Sequence, residues 1–265
     1  MTSMDSLVRV GVKVAALPLG ATRRRRSGDV TILCYHRIGE GDREIDVPAP
    51  RFEAHLEALA SVDRVRALDD SLADPRGGLV LTFDDGFRDF HEFALPALVR
   101  HRVPALLYLA TGFVDAGDPR SGVGPDRALT WSMLAEAVST GLVTVGSHTH
   151  GHVDLSRADA IAAEDELRRS IELIEDRLGT PCRHFAYPWG RASQAAERVA
   201  RQRFATAALA AWRTNRSGRI EPHRLGRTPV MRSDCGFLFR AKARGQLDGE
   251  RFAYRALGRG PWASA

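Results

Sequence analysis

Two adjacent acids at the end of a buried strand constrain this chain more than any other feature. Val80 to Phe83 (Val-Leu-Thr-Phe) is apolar, β-branched and aromatic, the composition of a strand covered on both faces. Asp84 and Asp85 follow, then Gly86, which permits the sharp turn that such a stop needs. Phe87 to Val99 predicts a helix, kinked at Pro96. Two carboxylates at the mouth of a buried strand are costly unless a cation or a shared proton offsets them. Alone, Asp-Asp-Gly would read as a helix cap and a solvated turn acid. The segment Val145-Gly-Ser-His-Thr-His-Gly-His152 changes that reading, and the two stretches together suggest a metal site.

The same strand-then-polar pattern recurs along the chain. Val30 to Tyr35 predicts a strand ending at His36, Gly39 to Pro50 a loop, and Arg51 to Ser61 a helix. Pro104 to Ala110 predicts the next strand after Val80 to Phe83, and the Gly- and Pro-rich Thr111 to Arg127 a long loop. Thr130 caps a helix over Trp131 to Thr140, and Leu142 to Val145 is a strand leading into the histidines. Ser156 to Leu178 is a long amphipathic helix stopped by Gly179 and Pro181. Strands Cys182 to Ala186, Phe204 to Leu209 and Leu225 to Val230 follow, with a helix over Ala192 to Gln202. Strands alternating with helices predict one α/β domain with a mainly parallel sheet. His36, Asp84, Asp85, His148, His152 and Trp189 all lie just after predicted strands, the end at which barrels of this construction place their sites.

Composition narrows the class. Of 265 residues, 44% are hydrophobic and 27% charged, as in ordinary globular proteins. The net charge of +5 includes Arg23 to Arg26, yet no basic stripe interleaved with aromatics appears, which argues against nucleic-acid binding. Cys34, Cys182 and Cys235 are scattered and odd in number, so a reduced, cytoplasmic setting is expected. No stretch is long and apolar enough for a transmembrane helix. Leu7 to Ala21 carries Arg9 and Lys13 and precedes the arginines, the wrong order for a secretory signal. Residues 1–27 therefore read as a basic arm, either flexible and loosely docked or on a membrane surface. Residues 28–245 read as the catalytic domain and 246–265 as a tail. Deleting the arm is expected to leave catalysis unchanged.

His148 and His152 are four residues apart and can converge even on a loop. Two imidazoles and one carboxylate match the three-ligand plan of a catalytic metal that keeps one position open. Only one of the paired acids is needed as a ligand. The other can take a proton from a water polarised by the ion, so the predicted reaction class is metal-assisted hydrolysis of an amide or ester.

Thr82-Phe-Asp-Asp-Gly86, His148-Thr-His-Gly-His152 and Phe185-Ala-Tyr-Pro-Trp-Gly190, in this order, resemble three motifs of the polysaccharide deacetylases, carbohydrate esterase family 4. The resemblance runs from about Val30 to about Gly245 and includes Leu33-Cys-Tyr-His-Arg-Ile38 and Leu129-Thr-Trp131. It implies an incomplete, distorted (β/α)7 barrel. It implies Asp84 as general base and Asp85, His148 and His152 as ligands of one divalent ion, zinc by expectation, with cobalt or nickel as alternatives. It also implies the Trp189 backbone amide as oxyanion donor, and leaves His150 on a variable position.

Two departures stand out. The motif-three arginine that orients the base is replaced here by Ala186, with Arg227 or Arg224 as substitutes. The family's Leu-x-His is missing, which leaves His36 or His223 as general acid. Tyr187, Trp189 and Trp131 are candidates for stacking on a sugar, and Arg227 is a further candidate for substrate binding. The expected substrate is an N-acetylated amino sugar in a glycan or lipid-linked precursor. Another amide or ester on the same fold, or a non-catalytic binding module, are the competing readings.

Overall fold

The computed structural model describes residues 11, 13–14, 26–60, 64–116, 127–246 and 250. Its centre is an all-parallel sheet in the order β10-β1-β4-β5-β6-β7-β8-β9. The strands are β1 (Val30–Tyr35), β4 (Gly78–Phe83), β5 (Ala105–Leu109), β6 (Val143–Ser147), β7 (His184–Ala186), β8 (Thr206–Leu209), β9 (Leu225–Gly226) and β10 (Thr228–Pro229). A separate two-stranded ribbon, β2 (Arg37–Ile38) with β3 (Asp46–Val47), crosses the stretch expected to be only loop.

The predicted seventh strand, Leu225 to Val230, is divided at one residue, Arg227. Its first half pairs with β8 and its second with β1, so the sheet curls round on itself. Where β9 and β1 do not pair directly, Asn215 fills the seam. Its side chain donates to the Val30 and Gly226 carbonyls and accepts from the Gly226 amide. The result is an almost closed α/β barrel, distorted along that seam.

Strand alternation sorts the side chains into two cores. Val30, Ile32, Val80, Leu106, Tyr108, Ala186, Ala208 and Leu225 form a small cluster inside the barrel. Leu33, Leu81, Phe83, Leu107, Val145 and Phe185 face outward onto helices, meeting Phe52, Leu98, Leu134, Leu167 and Val199. Thr130 caps its helix as predicted, its Oγ1 accepting from the Met133 amide at the start of Trp131–Ser139. The long helix expected from Ser156 begins at Ala160 instead, where the Asp159 side chain accepts from the Ala162 amide. Gly179 closes the latter helix in a left-handed turn.

Two local expectations change, and one helix is added. The helix after Asp84-Asp85 begins only at Phe90, as a wide π turn to Ala94 before Leu95–His101. Pro96 cannot donate to the carbonyl four residues back, and a wide turn just ahead of it accommodates that loss. Thr111–Ala116 is a short helix rather than loop; residues 117–126 lie outside the described set. Near the end of the chain, Gly236–Ala243 is a helix whose Leu238 and Phe239 are buried. Most of the expected arm and tail also lie outside the described residues, and among those described no helix is long and apolar enough to cross a membrane.

His55 makes the outer core sensitive to pH. Its ring stacks on Phe239 at 3.8 Å, and its Nδ1 lies 3.2 Å from the Tyr35 hydroxyl. Burial is the main reason its pKa falls from 6.5 to about 4. A depressed folded-state pKa means that the unfolded chain binds the proton first. The stabilising contribution is therefore complete above pH 6.5 and lost as pH falls toward 4. His55→Phe is expected to flatten thermal stability across this window, and melting scans at half-unit pH steps would check it.

Candidate active site

All the strands point their C-terminal ends toward one cavity of about 470 Å³, lined by His36, Asp84, Asp85, His148, His152 and Arg227 among others. Thr82 and Asp84 continue the inward face of β4, so Asp84 enters the barrel mouth by simple alternation. Asp85 would then point away. It instead adopts a left-handed backbone (φ 73°), which turns its carboxylate into the same cavity. Gly86 follows at φ 94°, where an added Cβ would come 2.5 Å from the Leu109 side chain. Thr149, His152 and Trp189 are also left-handed, at φ 66°, 53° and 58°. Such backbone strain costs about 1–3 kcal/mol per residue, and here it is concentrated around one cavity.

Asp84 is gripped by Arg227. Guanidinium Nη1 and Nη2 donate to its two oxygens at 2.5 and 2.8 Å, and both side chains are buried. The Arg227 guanidinium carbon lies 5.0 Å from the Tyr108 ring centroid, a cation–π contact inside the barrel. The Cys34 thiol donates to Asp84 Oδ2 at 3.4 Å. Burial by itself would raise the Asp84 carboxyl, but Arg227, then His148 and His36, overcome this and hold it below its ordinary value. Asp84 is thus an ionised acceptor at neutral pH.

Asp85, His148 and His152 converge beside it. Asp85 Oδ1 lies 3.2 Å from His152 Nε2 and 3.5 Å from His148 Nε2. That oxygen is buried without a well-formed hydrogen bond. His148 Nδ1 is 2.7 Å from the Ala186 carbonyl, so it carries the proton and leaves the Nε2 lone pair facing the cavity. Burial lowers the His148 pKa to about 4, which keeps the imidazole neutral. Burial pulls His152 the same way, but Asp85 reverses this and raises it. An unsatisfied carboxylate oxygen and two imidazole nitrogens within 4.8 Å of one another fit a divalent ion. His150 turns outward to Thr111 Oγ1 and Arg169, away from these donors.

Barrel polarity separates the remaining candidates. Pro222–Arg224 precedes β9, so His223 and Arg224 sit at the opposite end of the barrel from Arg227. His223 Nε2 bonds the Phe204 carbonyl, and Arg224 lies 3.6 Å from Glu197. His36 lines the cavity with Nε2 at 3.9 Å from Asp84 Oδ2. Ala186 belongs to the inner core, and Arg227 reaches Asp84 from the other end of the sheet order.

Trp189 is 45% exposed and meets His152 at 5.3 Å between ring centroids. Gly190 behind it, at φ 65°, has no room for a Cβ, which would fall 2.5 Å from Ala210. Tyr187 lines the cavity but is buried against Phe185. Trp131 does not line it, and its indole N–H bonds Asp115 at 3.1 Å. The sequence reading missed Cys34, Tyr108, Arg43 and Ile45 at or beside the site. Strand alternation would have found Cys34 and Tyr108, since both share the inner face with Asp84.

A profile of the family described as polysaccharide deacetylase matches residues 72–207, half of the chain, and spans both the Asp-Asp and the histidine motifs. The chain belongs to the polysaccharide deacetylase family. YxkH of Bacillus subtilis (strain 168), whose name assigns it to the polysaccharide deacetylases, is 24% identical over 177 residues. That match covers 64% of this chain and 60% of YxkH. Among solved structures, IcaB from Ammonifex degensii aligns with a TM-score of 0.72 and 25% identity, over 85% of this chain and 100% of IcaB. Streptococcus pyogenes deacetylase PplD in complex with acetate aligns at 0.66 and 20%, over 78% and 94%. The second of these supports the deacetylase fold alone.

Proposed function

We propose that this polysaccharide deacetylase removes acetyl groups from N-acetylated amino sugars of a glycan or a lipid-linked glycan precursor. The observation that carries the reading is the Arg227-held Asp84 carboxylate beside the Asp85, His148 and His152 donors in one cavity. A divalent ion held by Asp85, His148 and His152, zinc being the expected choice, would polarise the amide carbonyl and the attacking water.

The chain's own groups supply the rest. Asp84 Oδ2 takes the proton of the attacking water, while Arg227 keeps that oxygen ionised and pointed into the cavity. The left-handed turn at Trp189 presents its backbone N–H as the donor for the developing oxyanion. His36, half-buried on the cavity wall, delivers a proton to the departing amine. The Trp189 ring at the rim offers an apolar face for the sugar.

The deciding experiment pairs elemental analysis of the purified protein with acetate release from chito-oligosaccharides, before and after chelation. One bound divalent ion and chelator-sensitive acetate release are expected. An ion with no acetate release from amides but release from acetyl esters would move the assignment to O-deacetylation.

His36 is tested through the leaving group. An amine needs a proton to depart, whereas 4-nitrophenolate does not. His36→Ala is expected to lower kcat on the N-acetyl substrate about 100-fold and on 4-nitrophenyl acetate only slightly. Equal losses on both would remove His36 from that role.

A further inference from the structure

The segment Gly39–Val47 forms one wall of the active-site cavity, to which it contributes Arg43 and Ile45. Its outer side is fastened to the protein by an ionic cluster shut off from solvent. Lys13, Glu44, Asp234, Lys242 and Glu250 are all at most 2% exposed. Lys13 Nζ donates to Ser233 Oγ at 2.6 Å and to Asp234 Oδ1 at 2.8 Å, and it lies 3.7 Å from Glu44 Oε1. Ser233 in turn donates its hydroxyl and its amide to Glu44 Oε1. The Glu44 carbonyl accepts from the Arg232 amide at 2.7 Å, and Arg232 Nη1 donates to the Gly41 carbonyl at 2.5 Å. Lys242 completes the cluster, donating to Asp234 at 2.7 Å and to the Pro229 carbonyl, two residues after Arg227.

The geometry gives Lys13 a specific task. Lys13 and Lys242 share three carboxyl groups: both reach Asp234, both lie within 3.7 Å of Glu250, and Lys13 also faces Glu44. Arg232 holds the backbone of the wall segment at Gly41, whereas among the described residues Lys13 is the lysine that faces the Glu44 carboxylate. Uncompensated, a buried Glu44 carboxylate would pull toward water and take Arg43 and Ile45 with it.

We propose that Lys13 is a positioning residue for the active site, holding through Glu44 and Ser233 the cavity wall that meets the body of the glycan substrate. This reverses the expectation that residues 1–27 are dispensable for catalysis. It rests on the deacetylase reading for its kinetic test but not for its structural one.

The test uses Lys13→Met and Lys13→Arg in the full chain, with hydrogen–deuterium exchange, metal content and kinetics on a chito-oligosaccharide and on 4-nitrophenyl acetate. Lys13→Met is expected to speed exchange across residues 39–47 while leaving β4 unchanged. It is expected to raise KM for the oligosaccharide about tenfold, with kcat, metal content and turnover of the small ester within about twofold. Lys13→Arg keeps the charge and is expected to recover most of the loss. If Lys13→Met does not fold, Glu44→Gln, which removes the charge at the wall itself, is expected to give the same exchange and KM pattern. Unchanged exchange at 39–47, or equal losses on both substrates, would overturn the proposal. Should the wild type release no acetate from the oligosaccharide, the exchange result still decides the Lys13 contact, and the deacetylase reading fails separately.

Discussion

Asp84→Asn is expected to abolish turnover while leaving the divalent ion in place. The amide cannot take the proton of the attacking water, and loss of a general base lowers kcat by roughly 100- to 10,000-fold. The three ion-holding candidates, Asp85, His148 and His152, are untouched, so metal content should stay at one per chain. His148→Ala, by contrast, should lose ion and activity together. Asp84→Asn also has a stability effect: it leaves the buried Arg227 guanidinium without its counter-charge. Breaking a buried pair in this way costs about 3–5 kcal/mol, because the remaining charge has no solvent to turn to. A Tm lower by on the order of 10 °C is therefore expected. Full activity in Asp84→Asn would show that the base is elsewhere.

Arg227→Met is expected to injure the same pair from its other side. Asp84 would keep the burial that raises its carboxyl and lose the largest influence that lowers it. Its pKa therefore rises, and the acidic limb of the kcat/KM profile should move to higher pH. At neutral pH the base is then partly protonated and no longer aimed, and a fall in kcat of at least about 100-fold is expected. A purely structural role for Arg227 would lower Tm without moving that limb. Arg227→Lys keeps one positive charge but not the two-pronged grip on both carboxylate oxygens, so it should recover only part of the activity. In Asp84→Asn/Arg227→Met no unpaired charge remains. The double variant should be more stable than either single one while staying inactive, a non-additivity that calorimetry would measure.

How much of this could be read before the chain was folded depends on distance along it. Asp84, Asp85, His148 and His152 were legible because each pair occupies one short segment directly after a recognisable strand. Alternation in β4 places Asp84 inside, and the Asp-Gly turn brings Asp85 after it. The barrel class was legible for a similar reason, since parallel strands buried on both faces leave long apolar runs that helices separate.

The partners of those residues were not legible, because they arrive from elsewhere in the chain. Arg227 comes 143 residues after Asp84, and only closure of the sheet between β8 and β1 brings it opposite the base. The sequence alone left Arg227 and Arg224 equivalent; three residues along a strand move a side chain from one end of the barrel to the other. His36 and His223 were separated by the same polarity. Lys13 read as part of a loosely docked or membrane-surface arm, because nothing in its neighbours reveals that Asp234 and Glu44 wait for it in the interior. Local sequence thus determined the reactive groups and the turns that expose them. Tertiary structure decided which charges compensate them, because a buried ion pair is made between residues that only long-range closure of the barrel brings within reach.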